Sequence, residues 1–296
     1  MTIQWFPGHM AKARRQVEEK LKQVDLVLEL VDARLPLSSR NPMIDQLVQG
    51  KSRIILLTKN DLADPKATRQ WSETFREGKT QALSMDLLSG SGVKALFSIS
   101  QDLMKEKIEA QAKKGIRRHR IRAMVLGVPN VGKSALINRL AKKNIAKTGD
   151  RPGVTKAQQW IKLENGMELL DTPGILWPKF EDRDVGLRLA ASGAIKEEIL
   201  SIDEIGLYLI SYLSRKYPDS LRKRYNLEEV EGQEGLALLE QVGKRRGCMR
   251  KGGEVDLEKA AEIVLRDFRS GRLGRISLEF PVDWEEEMDE SKRDHP

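Results

Sequence analysis

Two short stretches constrain this chain more than anything else in it, because of the order in which they come. LLTKNDL, residues 56–62, is an apolar run ending in Thr58, Lys59, Asn60 and Asp61, and it fits the N/T-K-x-D pattern that reads guanine. GVPNVGKS, residues 127–134, fits G-x-x-x-x-G-K-S/T, a loop whose glycines let backbone N–H groups close around phosphate oxygens. The phosphate loop ordinarily opens its domain and the base reader follows. Here the base reader comes first, so either one pattern is spurious or the chain builds one site from segments in permuted order.

Both patterns sit in the context their chemistry needs. Apolar runs bounded by turn signals, at 25–33, 53–60 and 80–85, are separated by stretches around 41–50 and 65–78 long enough for crossover helices. A long helical pattern over 92–114 follows, then strand patterns at 122–127, 158–163 and 167–172. Ala13, Val17, Leu21 and Val24, at three- and four-residue spacing, place a helix over 10–24 ahead of them all. Six strands alternating with helices predict an α/β domain with a mostly parallel sheet, and GVPNVGKS falls between a strand and the helix opening SALINRLAK. From residue 184 the strand pattern mostly stops. The stretch 201–217 opens with Ser201-x-x-Glu204, a capping-box pattern, and 234–247 and 256–271 are further amphipathic helices. The expected organisation is a permuted nucleotide-binding domain over 1–183, a small all-α domain over 184–282 and an acidic, frayed tail over 283–296.

The chemistry of the two patterns fits one ligand. Pro129, Asn130, Val131, Gly132, Lys133, Ser134 and Ala135 are the expected phosphate contacts, with Lys133 neutralising the β- and γ-phosphates and Ser134 offering a hydroxyl to Mg2+. ELLDTPG (168–174) puts Asp171 at a strand end, where it can hold Mg2+ through water, and Gly174 where its N–H can meet the γ-phosphate. RPGVT (151–155) lies between them in a polar loop. Thr155 is the candidate that closes on Mg2+, with Thr148 as its rival. The Asp61 carboxylate can accept both N1–H and N2–H of guanine, a donor pair adenine lacks, while Lys59 can lay its stem over the base. ALSMD (82–86) resembles the S-A-K loop whose backbone contacts the guanine oxygen, which points to Ser84 and Met85. Thr58 stands where many such motifs carry Asn, so weaker bracing between the loops is expected, with base specificity intact. Neither pattern is spurious, and the domain reads as circularly permuted. Permutation costs little when the original ends lie close together. It also runs the Asp171–Gly174 loop within a few residues into the C-terminal helices, coupling a γ-phosphate-sensitive loop to a second domain.

Charge narrows the partner. The net charge is +8, and KKGIRRHRIR (113–122) holds six Lys/Arg and no acid. GKRRGCMRKGG (243–253), with Lys244, Arg245 and Arg246, is a second cluster. Such patches suit ribosomal RNA phosphates; a solvated linker and a solvated helix end are the plainer readings of the same residues. A single cysteine, Cys248, excludes an intrachain disulfide and argues against zinc. With no apolar run long enough for a membrane span and no signal-peptide pattern at the start, the expected protein is cytoplasmic, has no membrane partner and is a monomer.

In the order base reader, base loop, phosphate loop, switch I and switch II, the sequence resembles the circularly permuted GTPases. Within them it is similar to the ribosome biogenesis GTPase A family, bacterial factors of late large-subunit assembly. WFPGHM (5–10), VDARLPLSSRNP (31–42), TKND, GVPNVGKS, RPGVT, DTPGIL (171–176) and the helical C-terminal segment carry the resemblance over nearly the whole chain. It implies binding of GTP and GDP and contact with the large subunit through its RNA and proteins. It also implies slow hydrolysis that the subunit stimulates and K+ promotes, and a C-terminal domain resembling RNA-binding ANTAR modules. Asn130 matches the residue that helps hold K+ in potassium-dependent relatives, although it could simply shape the loop. Ile175 stands where Ras-like GTPases carry a water-orienting Gln, and it cannot hydrogen-bond. His9 belongs to the family's histidine motif, and a neutral imidazole can orient a water; a surface turn residue is the plainer reading. The rival functions are a GTPase acting on tRNA or in cell-cycle control, and an RNA-binding scaffold that GTP merely stabilises.

Overall fold

The computed structural model describes residues 15, 17–115, 120–143, 159–163, 166–172, 174, 182–195 and 200–282. The chain divides into two compact units, one built mainly from the residues before 180 together with those from Glu279 onward, the other mainly from Phe180–Leu278.

The described residues of the first unit form a six-stranded sheet in the order β3-β2-β1-β4-β6-β5. The strands are β1 (Leu26–Asp32), β2 (Ser52–Thr58), β3 (Thr80–Ser84), β4 (Ile121–Gly127), β5 (Gln159–Lys162) and β6 (Met167–Asp171). All neighbours pair parallel except β5 with β6. Parallel strands covered on both faces read as largely apolar runs, and β1, LVLELVD, is buried along its whole length, the acids Glu29 and Asp32 included. Val27 and Val31 share one face of β1 by the period of two and head separate apolar clusters. Val27 packs with Val17, Leu21, Ile44, Met124 and Leu170, and Val31 with Ile55, Leu57, Trp71, Phe75 and Ala82.

The connecting helices are α1 (Pro42–Leu47), α2 (Pro65–Thr74), α3 (Val93–Lys113) and α4 (Lys133–Ala141). The first two start with proline at N1 behind a side-chain cap, Asn41 accepting from Met43 N and Asp64 from Lys66 N and Ala67 N. The six expected strands are present with ends within two residues of the sequence reading. The helix expected over 10–24 is helical over 17–21 among the described residues. Val24, its last apolar position, reaches the core from a turn, because Asp25 N–H already donates to Arg122 O at 2.8 Å and begins the sheet.

The second unit is helical: α5 (Arg183–Ser192), α6 (Ile202–Lys216), α7 (Pro218–Tyr225), α8 (Gly235–Arg246) and α9 (Leu257–Arg269). Ser201 caps α6 by accepting from Glu204 N at 3.3 Å. The Glu204 carboxylate, expected to complete the capping box, instead pairs with Arg183. The sequence reading missed α5 and α7. Pro218 disfavours helical backbone at Tyr217, which sits at φ −139° and ψ 50°, so α6 ends where the sequence reading ended it and α7 starts afresh at Pro218. Among the described residues no helix is long and apolar enough to cross a membrane.

Candidate nucleotide site

β1 and β4 lie side by side at the centre of the sheet, and the chain leaves them toward opposite edges. In open α/β sheets such a switch point opens a crevice at the carboxyl ends of the strands. The loops after β2, β3, β4 and β6 all emerge on that edge. They carry the expected base reader, the expected base loop, the phosphate loop and Asp171.

The phosphate loop begins at Gly127, where a Cβ would lie 2.7 Å from Leu30 O, so only glycine lets β4 turn beside β1. Asn130 adopts a left-handed backbone at φ 57°, and Gly132 caps α4. Lys133, in the first turn of α4, is buried and donates from Nζ to Gly127 O at 3.0 Å and Val128 O at 2.7 Å. The ammonium thus fills the loop it is expected to share with phosphates. Burial lowers its pKa to about 8, against the opposing pull of Asp171.

Asp171 closes β6. Burial raises its pKa, while Lys133 and the Thr172 amide lower it. Its Oδ1 is buried without a hydrogen-bond partner. Such an orphaned carboxylate oxygen normally has a ligand to meet. With the Ser134 hydroxyl next to Lys133 in sequence, the donor set fits Mg2+, which takes one or two carboxylates plus substrate phosphates and water. No cluster of three or more His, Cys, Asp or Glu occurs among the described residues. At Gly174 a Cβ would lie 2.9 Å from Pro129 N, so Gly174 meets the phosphate loop at backbone contact.

The base reader follows β2. Thr58 is fully buried, with Oγ1 donating toward Val131 O at 2.7 Å and lying 3.0 Å from Val31 O. Lys59 turns the chain with a left-handed φ of 55°, Asn60 is half-buried, and Asp61 is exposed on the turn. Lys59 Nζ donates to Asp32 Oδ2 at 2.9 Å. In the base loop Met85 is buried, and its amide donates to Leu57 O at 2.8 Å, so a guanine contact from that amide requires exchange of a sheet bond. Ser84 ends β3 and is half-buried.

Two residues the sequence reading did not single out join these loops. Arg139 of α4 donates to Leu87 O at 3.0 Å and also to Leu88 O, tying the base loop to the phosphate-loop helix. A cavity of about 750 Å3 lined by Leu87, Gly90, Lys94, Ala135, Arg139 and Lys143 adjoins them. Asp32 is the second. In sequence it was visible as an acid at the end of an apolar strand and as part of VDARLPLSSRNP, but nothing there tied it to Lys59. His9, Thr148, Thr155 and Ile175 lie outside the described residues.

Of the first basic cluster, Arg120 and Arg122 pair with Glu168, and Arg122 also lies over the Trp160 ring at 5.3 Å. In the second cluster Lys244, Arg245 and Arg246 are all exposed, and Arg246 also lies over the Tyr225 ring at 5.2 Å and donates to Arg224 O at 2.7 Å.

A family described as 50S ribosome-binding GTPase matches residues 122–231. The chain is 54% identical to the Ribosome biogenesis GTPase A of Bacillus cereus over 99% of both chains. It is 32% identical to that of Thermotoga maritima over 95% of both. Among solved structures it is similar to GNP-bound YlqF from T. maritima, with 28% identity, a TM-score of 0.63, and coverage of 91% of this chain and 98% of that one. A GDP-bound YlqF structure gives a TM-score of 0.64 at the same identity, covering 90% of this chain and 100% of that one.

Proposed function

The chain belongs to the ribosome biogenesis GTPase A family and hydrolyses GTP, and from that premise we propose that it is an assembly factor for the large ribosomal subunit. It binds precursor particles through ribosomal RNA in the GTP state and leaves after hydrolysis that the subunit stimulates. The ribosomal part of this reading is supported by the family, and its GTP part by the convergence of the loops after β2, β4 and β6 at one edge of one sheet, with Thr58 bonded to Val131 O and the Asp171 Oδ1 unpartnered.

In this reading Asp61 selects guanine, and Lys133 exchanges its two carbonyl partners for β- and γ-phosphate oxygens. Ser134, Asp171 and Thr155 would hold Mg2+, which would supply charge neutralisation on those phosphates. Hydrolysis needs a water aimed at the γ-phosphorus; the bond to the β–γ bridging oxygen breaks, and GDP and phosphate leave. Ile175 offers no group to aim that water, and the proposal gives the task to the neutral imidazole of His9. Asn130 would hold K+, whose positive charge would offset the charge that develops on the leaving phosphate.

GTP turnover measured with large subunits, small subunits, tRNA or no addition tests the reading. Stimulation by large subunits alone is the expected result. Stimulation by tRNA points to a GTPase working elsewhere, and no stimulation points to a scaffold. His9→Ala is expected to keep GTP affinity and reduce stimulated turnover by about 10–100-fold. Turnover of the wild-type protein is expected to be faster in potassium than in sodium at matched ionic strength, with Asn130→Ala erasing the difference.

A further inference from the structure

VDARLPLSSRNP, residues 31–42, takes no part in the chemistry above, yet it is bonded as tightly as a site. Asp32, at the carboxyl end of β1, is 3% exposed. Its Oδ1 accepts from Arg34 N at 3.1 Å and Arg34 Nε at 2.9 Å. Its Oδ2 accepts from the second Arg34 nitrogen at 2.7 Å and from Lys59 Nζ at 2.9 Å. Burial opposes ionisation here, but the two cations outweigh it and hold the carboxyl below the usual carboxylate range. The loop in turn holds Asp32. Asp32 N–H donates to Ser39 Oγ at 2.8 Å, and Ser39 Oγ donates to Leu35 O at 2.7 Å. One residue away, Ser38 N–H and Leu37 N–H donate to the Glu279 carboxylate at 3.0 and 2.7 Å.

Lysine carries much rotamer freedom, and ordering it against a ligand costs free energy that weakens binding. Lys59 loses that freedom before any nucleotide arrives, because its backbone is fixed in a left-handed turn and its ammonium is tied to a buried anion. We propose that Asp32 is a positioning residue for guanine recognition, holding the Lys59 ammonium so that the alkyl stem is laid out in advance for the base. Residues 33–41 form the brace that holds Asp32. The inference rests on the reading of residues 58–61 as the base reader.

A double-mutant cycle on GDP affinity tests it, with Asp32→Asn, Lys59→Met and the pair. Each single change is expected to raise the GDP Kd by about 10-fold, and the pair to raise it no further than the larger single change. The loss is expected in KM for GTP, with kcat at saturation within about 2-fold of wild type, since the interaction acts on ground-state and transition-state binding alike. Multiplying effects in the pair, or unchanged GDP affinity in a folded Asp32→Asn, overturns the proposal. If Asp32→Asn does not fold because Arg34 is left buried beside a neutral group, Lys59→Arg reads the same interaction from the other end. The arginine can still reach Asp32 and is expected to stay within about 3-fold of wild type, and an arginine variant as weak as Lys59→Met overturns the proposal. Asp61→Asn is measured in parallel. Failure of that change to shift preference from GDP to XDP sinks the base-reader reading itself, whereas a shifted preference with an uncoupled Asp32–Lys59 pair sinks only the positioning role.

Discussion

The hydroxyl of Thr58 donates to the carbonyl oxygen of Val131 at 2.7 Å, and that bond joins the base reader to the phosphate loop across 73 positions of sequence. Thr58 stands where an asparagine is common, and its shorter side chain still bridges the two loops. Val31 O is 3.0 Å from the same hydroxyl, so β1, β2 and the loop after β4 converge on one oxygen. A circular permutation leaves this junction intact, because the bond depends on sheet order and not on which motif the ribosome makes first.

Thr58→Val keeps the shape and removes the donor. Val131 O then loses its partner in a buried setting, which costs about 1–3 kcal/mol. The urea midpoint is expected to fall and the GDP Kd to rise together, while Thr58→Ser retains most of both. Unchanged GDP affinity in Thr58→Val would show that the two loops hold their spacing without the hydroxyl.

Lys133 gives a proton signature. Its pKa is lowered to about 8 in the nucleotide-free protein, chiefly by burial. Relative to an ordinary lysine, the unfolded chain therefore binds more protons between about pH 8 and 10.5, and the Lys133 contribution makes stability rise with pH across that window. Phosphate oxygens favour the ammonium and raise the pKa again. GDP binding at about pH 8.5 is therefore expected to take up protons, and at about pH 6.5 this group is already protonated and contributes none. Calorimetry in buffers of different ionisation enthalpy measures the uptake, which Lys133→Met is expected to abolish.

Much of this arrangement was legible in the sequence, and the reason is physical. Central parallel strands are covered on both faces, so β1, β2 and β4 stood out as apolar runs, and the nucleotide loops had to follow them. What escaped was set by partners far apart in the chain. Asp32 meets Lys59 27 positions away, Arg139 meets Leu87 across 52, and Ser38 meets Glu279 across 241. No periodicity marks such pairs. The end of α6 before Pro218 was legible, but α7 behind it buries only Leu221 and Tyr225, too few apolar positions to mark a helix by spacing.

Glu279 tests the brace from its far end. The carboxylate accepts from Leu37 N, Ser38 N and Ser38 Oγ, while Glu279 O accepts from Trp71 Nε1 at 3.0 Å. Glu279→Gln retains the backbone bond to Trp71 but offers one acceptor oxygen where two amides need one each. The loss is expected to be about 1–2 kcal/mol in urea unfolding, with faster proteolysis confined to residues 33–41. Protection of that loop equal to wild type would show that Ser39 and Asp32 hold it unaided.

The basic end of α8 separates binding from stability. Lys244 and Arg245 are exposed, so neutralising both is expected to weaken co-sedimentation with large subunits and leave the thermal midpoint unchanged. Lys and Arg that neutralise phosphates release counterions, and removing one of them is expected to lower the slope of log affinity against log salt by roughly 0.7–0.9. Arg246 differs in kind. Its guanidinium covers the Tyr225 ring and donates to Arg224 O, beside the buried Asp267 that accepts from Arg224 at 2.7 and 3.0 Å. Arg246→Ala is therefore expected to cost about 1 kcal/mol of stability in the helical unit in addition to any effect on RNA binding. A shallower salt slope for Lys244→Ala/Arg245→Ala with an unchanged midpoint, against a lowered midpoint for Arg246→Ala, is the expected pattern. Unchanged co-sedimentation in both variants would move the RNA-binding surface off α8.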